Sequence, residues 1–298
     1  MTRAFVRRWL KLRIRLMTFH ILALVLVFVS AVLVLVALAW LPATNDQSVA
    51  DSQPTTYNLQ LSAPPAVSAL YSLVLDPDSD LVLYSKSADE PVAPASTTKL
   101  MTALIVLENY PLNQVITIDR SFPEGQNIGL VPGEHLTVEQ LLYALLIQSG
   151  NDAAEVLAEN FPGGRPAFIT AMNQKAADLR LFHTVFRNPT GLDEAGHVST
   201  AADLARLAHH VLKNPFLSRI VASENAVISA DQSRVLTNTN QLLGRVPGVL
   251  GVKTGYTDAA GEALITLVDR RGKRLLFVVL KSSDRFADTE SLINWAYK

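Results

Sequence analysis

From Leu16 to Leu41 the chain carries no charged residue, and most positions are Leu, Val, Ala or Phe. About 26 residues at ~1.5 Å rise cross a ~30 Å hydrocarbon core with some tilt. The run therefore predicts a transmembrane anchor over 16–41. A cleaved signal peptide is the alternative, since Ala37-Leu38-Ala39 resembles a small-residue cleavage site. The run is long for a 7–15-residue signal core, which favours the uncleaved anchor. Residues 42–65 are rich in Pro, Ser, Thr, Gln and Asn without apolar periodicity, and predict a flexible tether.

The pattern then changes to short alternating runs. Ala69 to Leu75 and Leu81 to Ser85 flank Asp76-Pro77-Asp78-Ser79-Asp80, which is turn chemistry, so a β-hairpin is predicted. From Ser96 to Pro247 the period is mostly helical. Runs open at Ser96/Thr97 (to Tyr110), at Thr137 (to Gln148) and at Asn151 or Asp152 (to Phe161). Two more cover Pro166 to Leu181 and Thr200 to Leu212. Thr137 and Gln140 have capping-box spacing. Strands return over Gly251 to Thr257, Glu262 to Asp269 and Arg274 to Lys281, with a tight turn at Arg271-Gly272. Asp288 to Tyr297 predicts a closing helix. Strands at both ends with helices between imply an α/β fold of the α+β kind: one antiparallel sheet from distant segments, with an inserted helical lobe. Residues 66–298 form the expected folded domain.

Charge sets the orientation. Six of the 26 basic residues precede the first acidic one, Asp46, and the remaining 20 face all 27 acidic residues, a net of −7. Basic residues on one flank of the run keep residues 1–15 in the cytoplasm and send the remainder across the membrane. The acidic remainder is a poor surface for nucleic acid. There is no cysteine, which excludes disulfides, thiolate nucleophiles and Cys-based metal sites.

Three short motifs carry the chemistry: Ser96-Thr97-Thr98-Lys99, Ser149-Gly150-Asn151 and Lys253-Thr254-Gly255. At a helix start, Ser96 and Lys99 face the same side one turn apart. A Ser hydroxyl needs a base within reach to attack a carbonyl. An amine serves if burial and the positive helix end lower its pKa. Read alone, the motif is better taken as a helix cap at Ser96 and a surface residue at Lys99. The apolar run Leu100 to Leu107 weighs against that, because it predicts a helix buried all round. Ser149 can relay a proton to a leaving amine. Asn151 can bind a substrate amide or cap the following helix. Gly255 lets a strand approach a ligand closely, and an exposed strand edge can add an extended peptide. Lys253 and Thr254 suit a substrate carboxylate. His209-His210 are adjacent on a helix and point apart, and His197 falls in a loop, so no metal site is expected.

In this order the motifs match the set S-x-x-K, S-x-N, K-T-G of penicillin-recognising serine acyl-transferases. The chain resembles a low-molecular-mass penicillin-binding protein, a serine-type D-alanyl-D-alanine carboxypeptidase, from about Ala69 onward. Beyond the triad, the resemblance rests on Pro94 to Thr102, Gly129 to Glu134, Gln148 to Ala154, Asn188 to Leu192, His197 to Leu204 and Gly251 to Thr257. It implies a β-lactamase/transpeptidase-like fold and no cofactor or metal. It implies Ser96 as nucleophile, Lys99 as general base, and Ser149 with Lys253 as proton relay. Asn151, Thr254 and Gly255 would bind substrate, Thr254 taking its terminal carboxylate. The backbone N–H groups of Ser96 and Tyr256 would form the oxyanion hole. The implied partners are peptidoglycan stem peptides and β-lactams, met on the outer side of the cell membrane.

Two departures stand out. Relatives often carry a further C-terminal β domain with a membrane-binding tail, whereas here the apolar run is N-terminal. They also often place an Arg after the last strand near the substrate carboxylate, and Arg285 is the candidate. The alternatives are a D,D-endopeptidase acting on cross-links, a non-catalytic β-lactam sensor or scaffold, and a β-lactamase. The last is disfavoured because no E-x-x-L-N string lies between Asn151 and Lys253.

Overall fold

Ala263–Val268 and Leu275–Leu280 are buried without a break, in strands β8 (Gly261–Arg270) and β9 (Lys273–Ser282). Successive side chains leave a strand on opposite faces. Ile265, Leu267, Leu276 and Val278 join a core shared with the helices, including Leu100 and Leu145. Leu264, Val268, Leu275, Phe277 and Val279 join a second core with Leu292, Ile293 and Trp295. A sheet covered on both faces needs no polar alternation, which is why these strands read as continuous apolar runs. Arg271 and Gly272 turn between them with φ of 56° and 78°, the left-handed pair a two-residue hairpin requires.

The computed structural model describes residues 63–298. The expected basic segment, the apolar span and all but the last three residues of the expected tether lie outside the described residues. Among the described residues no helix is long and apolar enough to cross a membrane. Strands β1 (Tyr71–Asp76), β2 (Leu81–Lys86) and β7 (Val249–Thr257) complete a five-stranded antiparallel sheet in the order β2-β1-β9-β8-β7. It is built from both ends of the domain, as expected. In the β1–β2 turn, Asp76 Oδ1 accepts from the Asp78 and Ser79 N–H groups at 2.9 and 3.3 Å.

The inserted lobe holds α1 (Lys99–Asn109), α2 (Val138–Ile147), α3 (Asn151–Glu159), α4 (Gly164–Asp178), α5 (Ala201–Leu212) and α6 (Pro215–Val221). Helix α7 (Arg285–Ala296) covers the other face. The Thr137–Gln140 capping box forms, and Thr200 caps α5 through the Asp203 N–H. Every residue of α1 from Lys99 to Val106 is buried, as the apolar run predicts.

The lobe is less purely helical than its period suggests. It contains two small antiparallel pairs, β3 (Val115–Thr117) with β4 (His135–Thr137) and β5 (Asn225–Ser229) with β6 (Ser233–Thr237). Three-residue strands carry no readable period, and β3 meets β4 only across a long loop. Helix α6 has its own cap, Asn214, followed by Pro215. The first helical run starts as a 3₁₀ turn over Ala95–Thr98 before α1 begins. Helix α7 starts three residues earlier than predicted, because Asp284 accepts from the Phe286 and Ala287 N–H groups.

Candidate active site

Ser96 sits half-buried in the 3₁₀ turn at the foot of α1, between the sheet and the lobe. Its hydroxyl is not a helix cap: neither Pro94 nor Thr98, which hold the capping positions, makes a side-chain cap bond. Lys99 Nζ lies 2.9 Å from Ser96 Oγ, 2.6 Å from Asn151 Oδ1 and 2.7 Å from the Thr190 carbonyl. Asn151 Nδ2 donates to the Glu124 carbonyl at 3.0 Å, which fixes the amide so that its oxygen faces Lys99. Two of the three Lys99 partners can therefore only accept. A neutral amine has two hydrogens and one lone pair. The hydrogens go to Asn151 and Thr190, which leaves the lone pair facing the Ser96 hydroxyl.

Electrostatics favour that neutral form. Lys99 is completely buried. Burial, reinforced by repulsion from Lys253, holds its amine well below the usual lysine range, against a weaker pull from Asp152 and Glu155. Lys253, on β7, is also buried. Burial and then the positive charge of Arg285 bring its pKa down to about 7. Its Nζ donates to Ser149 Oγ at 2.8 Å and to the Thr254 carbonyl at 3.1 Å.

The Ser149 turn is held in a conformation few side chains adopt. Ser149 has φ of 62°, and the flanking Gly150 and Asn151 N–H groups donate to the Ala144 and Gln126 carbonyls. Asn151 is the first residue of α3, with Gly150 at the capping position, so the alternative of Asn151 as a cap does not hold. Its side chain is spent on Lys99 and Glu124 instead.

Strand β7 forms one wall and is an edge of the sheet. A Cβ added to Gly255 would lie 3.0 Å from Ala95 Cβ and 3.1 Å from the Ser96 backbone nitrogen. Gly255 thus lets β7 close onto the Ser96 turn, with Tyr256 next along and exposed. Arg285 Nη1 donates to the Gly255 carbonyl at 2.8 Å, so the guanidinium stands at the same strand. Thr254 Oγ1 meets Thr239 Oγ1 at 2.6 Å. A cavity of about 240 Å³ opens beside Asn151 between Phe122, Glu124, Thr190 and Leu192. A second, of about 380 Å³, runs along Tyr256 and Thr257 and shares Glu124 and Leu192. Hydrogen bonds, the approach of Gly255 to Ser96 and continuity along β7 thus bring the nine site candidates read from the sequence into one contiguous group, of which Asn151 and Tyr256 line the two cavities.

The family model for D-alanyl-D-alanine carboxypeptidases matches residues 58–284. The chain belongs to the D-alanyl-D-alanine carboxypeptidase family. The D-alanyl-D-alanine carboxypeptidase DacF of Bacillus subtilis is 35% identical over 238 residues, 76% of this chain and 61% of that protein. The chain thus spans less than two thirds of that relative's length. DacB2 of Mycobacterium tuberculosis is 36% identical, covering 70% of this chain and 73% of that protein. Among solved structures, the Streptomyces K15 DD-transpeptidase superposes with a TM-score of 0.76 at 30% identity, covering 79% of this chain and 99% of that one. The α/β fold with an antiparallel sheet is therefore that of this family.

Several residues that shape this group of side chains carry no motif of their own. Asp152, beside Asn151, is buried and accepts from the Ile128, Gly129 and Leu130 N–H groups at 3.0–3.2 Å, pinning the loop that faces the cleft. Asn188 Oδ1 accepts from Thr190 Oγ1 and the Gly191 N–H, at 3.0 and 2.8 Å, and so sets the Thr190 carbonyl that Lys99 uses. Thr98 Oγ1 lies 3.1 Å from His197 Nε2. Burial lowers the His197 pKa to about 4, so this ring is a neutral packing partner. The strings Asn188 to Leu192 and His197 to Leu204 were visible in the sequence, but not which of their atoms face Lys99.

Proposed function

We propose that this chain is a serine D-Ala-D-Ala carboxypeptidase that trims peptidoglycan stem peptides. Ser96 Oγ attacks the carbonyl of the penultimate D-Ala and its proton passes to Lys99 Nζ. The N–H groups of Ser96 and Tyr256 receive the oxyanion. As the C–N bond breaks, the leaving D-Ala amine takes a proton through Ser149 from Lys253. Water then attacks the Ser96 ester, its proton passing through Ser149 back to Lys253, and Lys99 returns its proton to Ser96 Oγ as the shortened peptide leaves. Thr254 and Arg285 receive the terminal carboxylate, Asn151 the substrate amide, and Gly255 allows the peptide to lie along β7. The observation that carries this reading is the buried Lys99 amine, whose one proton-giving partner is Ser96. Purified protein should release free D-Ala from diacetyl-Lys-D-Ala-D-Ala, and Ser96→Ala should release none. Absence of release despite β-lactam labelling would make the chain a sensor or scaffold.

A D,D-endopeptidase is the second reading. It is favoured by two relatives named D-alanyl-D-alanine endopeptidase, from Pseudomonas aeruginosa (34% identical) and Escherichia coli (32%). Digestion of purified cross-linked muropeptide dimers separates the two, since only an endopeptidase yields monomers.

For the N-terminal part we propose a single-pass anchor at 16–41 that places domain 66–298 outside the cytoplasm on a tether. The charge-free run with six basic residues on one flank supports this. A reporter active only outside the cytoplasm, fused after Lys298, should be active. Protein lacking about the first 45 residues should remain soluble and bind penicillin, because none of the three motifs lies there; a reporter active only inside would overturn the topology.

A further inference from the structure

Thr239 lies in the segment between β6 and β7, outside every motif singled out in the sequence. Side-chain amides fix this segment on both sides. Asn238 Nδ2 donates to the Ser223 carbonyl at 2.9 Å, and Asn240 Nδ2 to the Gly251 carbonyl at 3.1 Å. Between them, the Thr239 N–H donates to the Ile147 carbonyl at 3.2 Å, two residues before Ser149. Its hydroxyl meets the Thr254 hydroxyl at 2.6 Å. One residue thus ties the Ser149 turn to the carboxylate end of β7.

We infer that Thr239 is a positioning residue that aims the Thr254 hydroxyl at the substrate's terminal carboxylate. The inference rests on the reading of Thr254 as a carboxylate ligand. A hydroxyl has one hydrogen and two acceptor positions, and a carboxylate only accepts. When Thr254 gives its hydrogen to the carboxylate, its contact with Thr239 can persist only if Thr239 is the donor. That donation polarises the Thr254 O–H and strengthens the bond to the anion. It also holds the Thr254 rotamer in a buried position before substrate arrives. Without it, Thr254 is free to turn its hydrogen toward a backbone carbonyl. The consequence is selective: ligands with a free carboxylate gain, and ligands without one do not.

The test compares benzylpenicillin with its methyl ester, with acylation rates followed by intact mass on the full chain in detergent. Thr239→Val should slow acylation by the free acid by up to about tenfold, the upper scale of one hydrogen bond between neutral groups. The ester rate should not change, and Thr239→Ser should restore the acid rate. Thr239→Ala replaces the Val variant should that one fail to fold. Added to Thr254→Val, Thr239→Val should cost nothing further. An equal fall for acid and ester would show a packing role only and overturn the inference. So would an unchanged acid rate in a folded variant lacking the hydroxyl. If neither probe labels the wild type, the reading of the cleft itself fails, an outcome distinct from the other two.

Discussion

A Cβ on Gly191 would stand 1.8 Å from the Ala95 carbonyl oxygen. Ala95 itself holds φ of 49°, a left-handed conformation, immediately before Ser96. The loop that presents the Thr190 carbonyl to Lys99 therefore reaches the Ser96 turn only because residue 191 has no side chain, and its own φ of 88° also suits glycine.

Gly191→Ala should accordingly push the loop off the turn and spoil the alignment of Ser96 with Lys99. Displacements of about 1 Å commonly cost on the order of 10²-fold in rate. Penicillin acylation should drop by that order, with a stability loss of about 1–3 kcal/mol read by denaturant melting. Acylation at the wild-type rate would contradict the close approach.

Asn151→Asp puts a carboxylate where Lys99 now meets a neutral amide oxygen 2.6 Å away. An anion at that distance favours the ammonium form and reverses the depression caused by burial. The pH profile of acylation should shift upward, so that the rate near neutrality falls and is partly recovered in base. A uniform loss at all pH values would instead point to a purely geometric role for Asn151.

Lys253→Met tests the second amine through stability. In the unfolded chain the amine titrates near 10.5, and in the fold near 7. Below pH 7 both states hold the proton and the cost of burying the charge is felt in full. Between 7 and 10.5 the unfolded state binds more protons, so this group makes wild-type stability rise with pH, by at most about 1.4 kcal/mol per unit. The variant lacks that rise. Its stability relative to wild type should be greatest below pH 7 and shrink toward pH 10, in urea melts at constant ionic strength. A relative stability that grew with pH would show that Lys253 is not depressed.

What the sequence revealed was local. Ser96 and Lys99 are three residues apart at a helix start, and Thr137 with Gln140 close a capping box, so their geometry follows from helix periodicity alone. The strand runs of β8 and β9 and the Arg271-Gly272 turn between them were equally local. The partners that finish the site come from far along the chain. Asn151 and Thr190 are 52 and 91 residues from Lys99, and Thr239 is 15 from Thr254. Gly191 carries no chemistry of its own, and its role exists only as a distance to Ala95. The choice between cap and ligand for Asn151 also waited on the fold, because it depends on whether Gly150 or Asn151 takes the capping position. The β5–β6 hairpin was missed for the opposite reason: its alternation is real but only five residues long on each strand.

The central claim is that the neutral amine of Lys99 takes the proton of Ser96. The most direct measurement is the rate of penicillin acylation as a function of pH, in wild type and Lys99→Ala, with the adduct mapped by mass spectrometry. The adduct should carry the full mass of the drug on the peptide containing Ser96, and Ser96→Ala should carry none. The wild-type rate should rise on an ionisation well below 10.5, as burial of the amine requires. Lys99→Ala should lose that ionisation and on the order of 10²–10⁴-fold in rate, the usual worth of a positioned base. An unchanged rate in Lys99→Ala, or an adduct on another residue, would contradict the account.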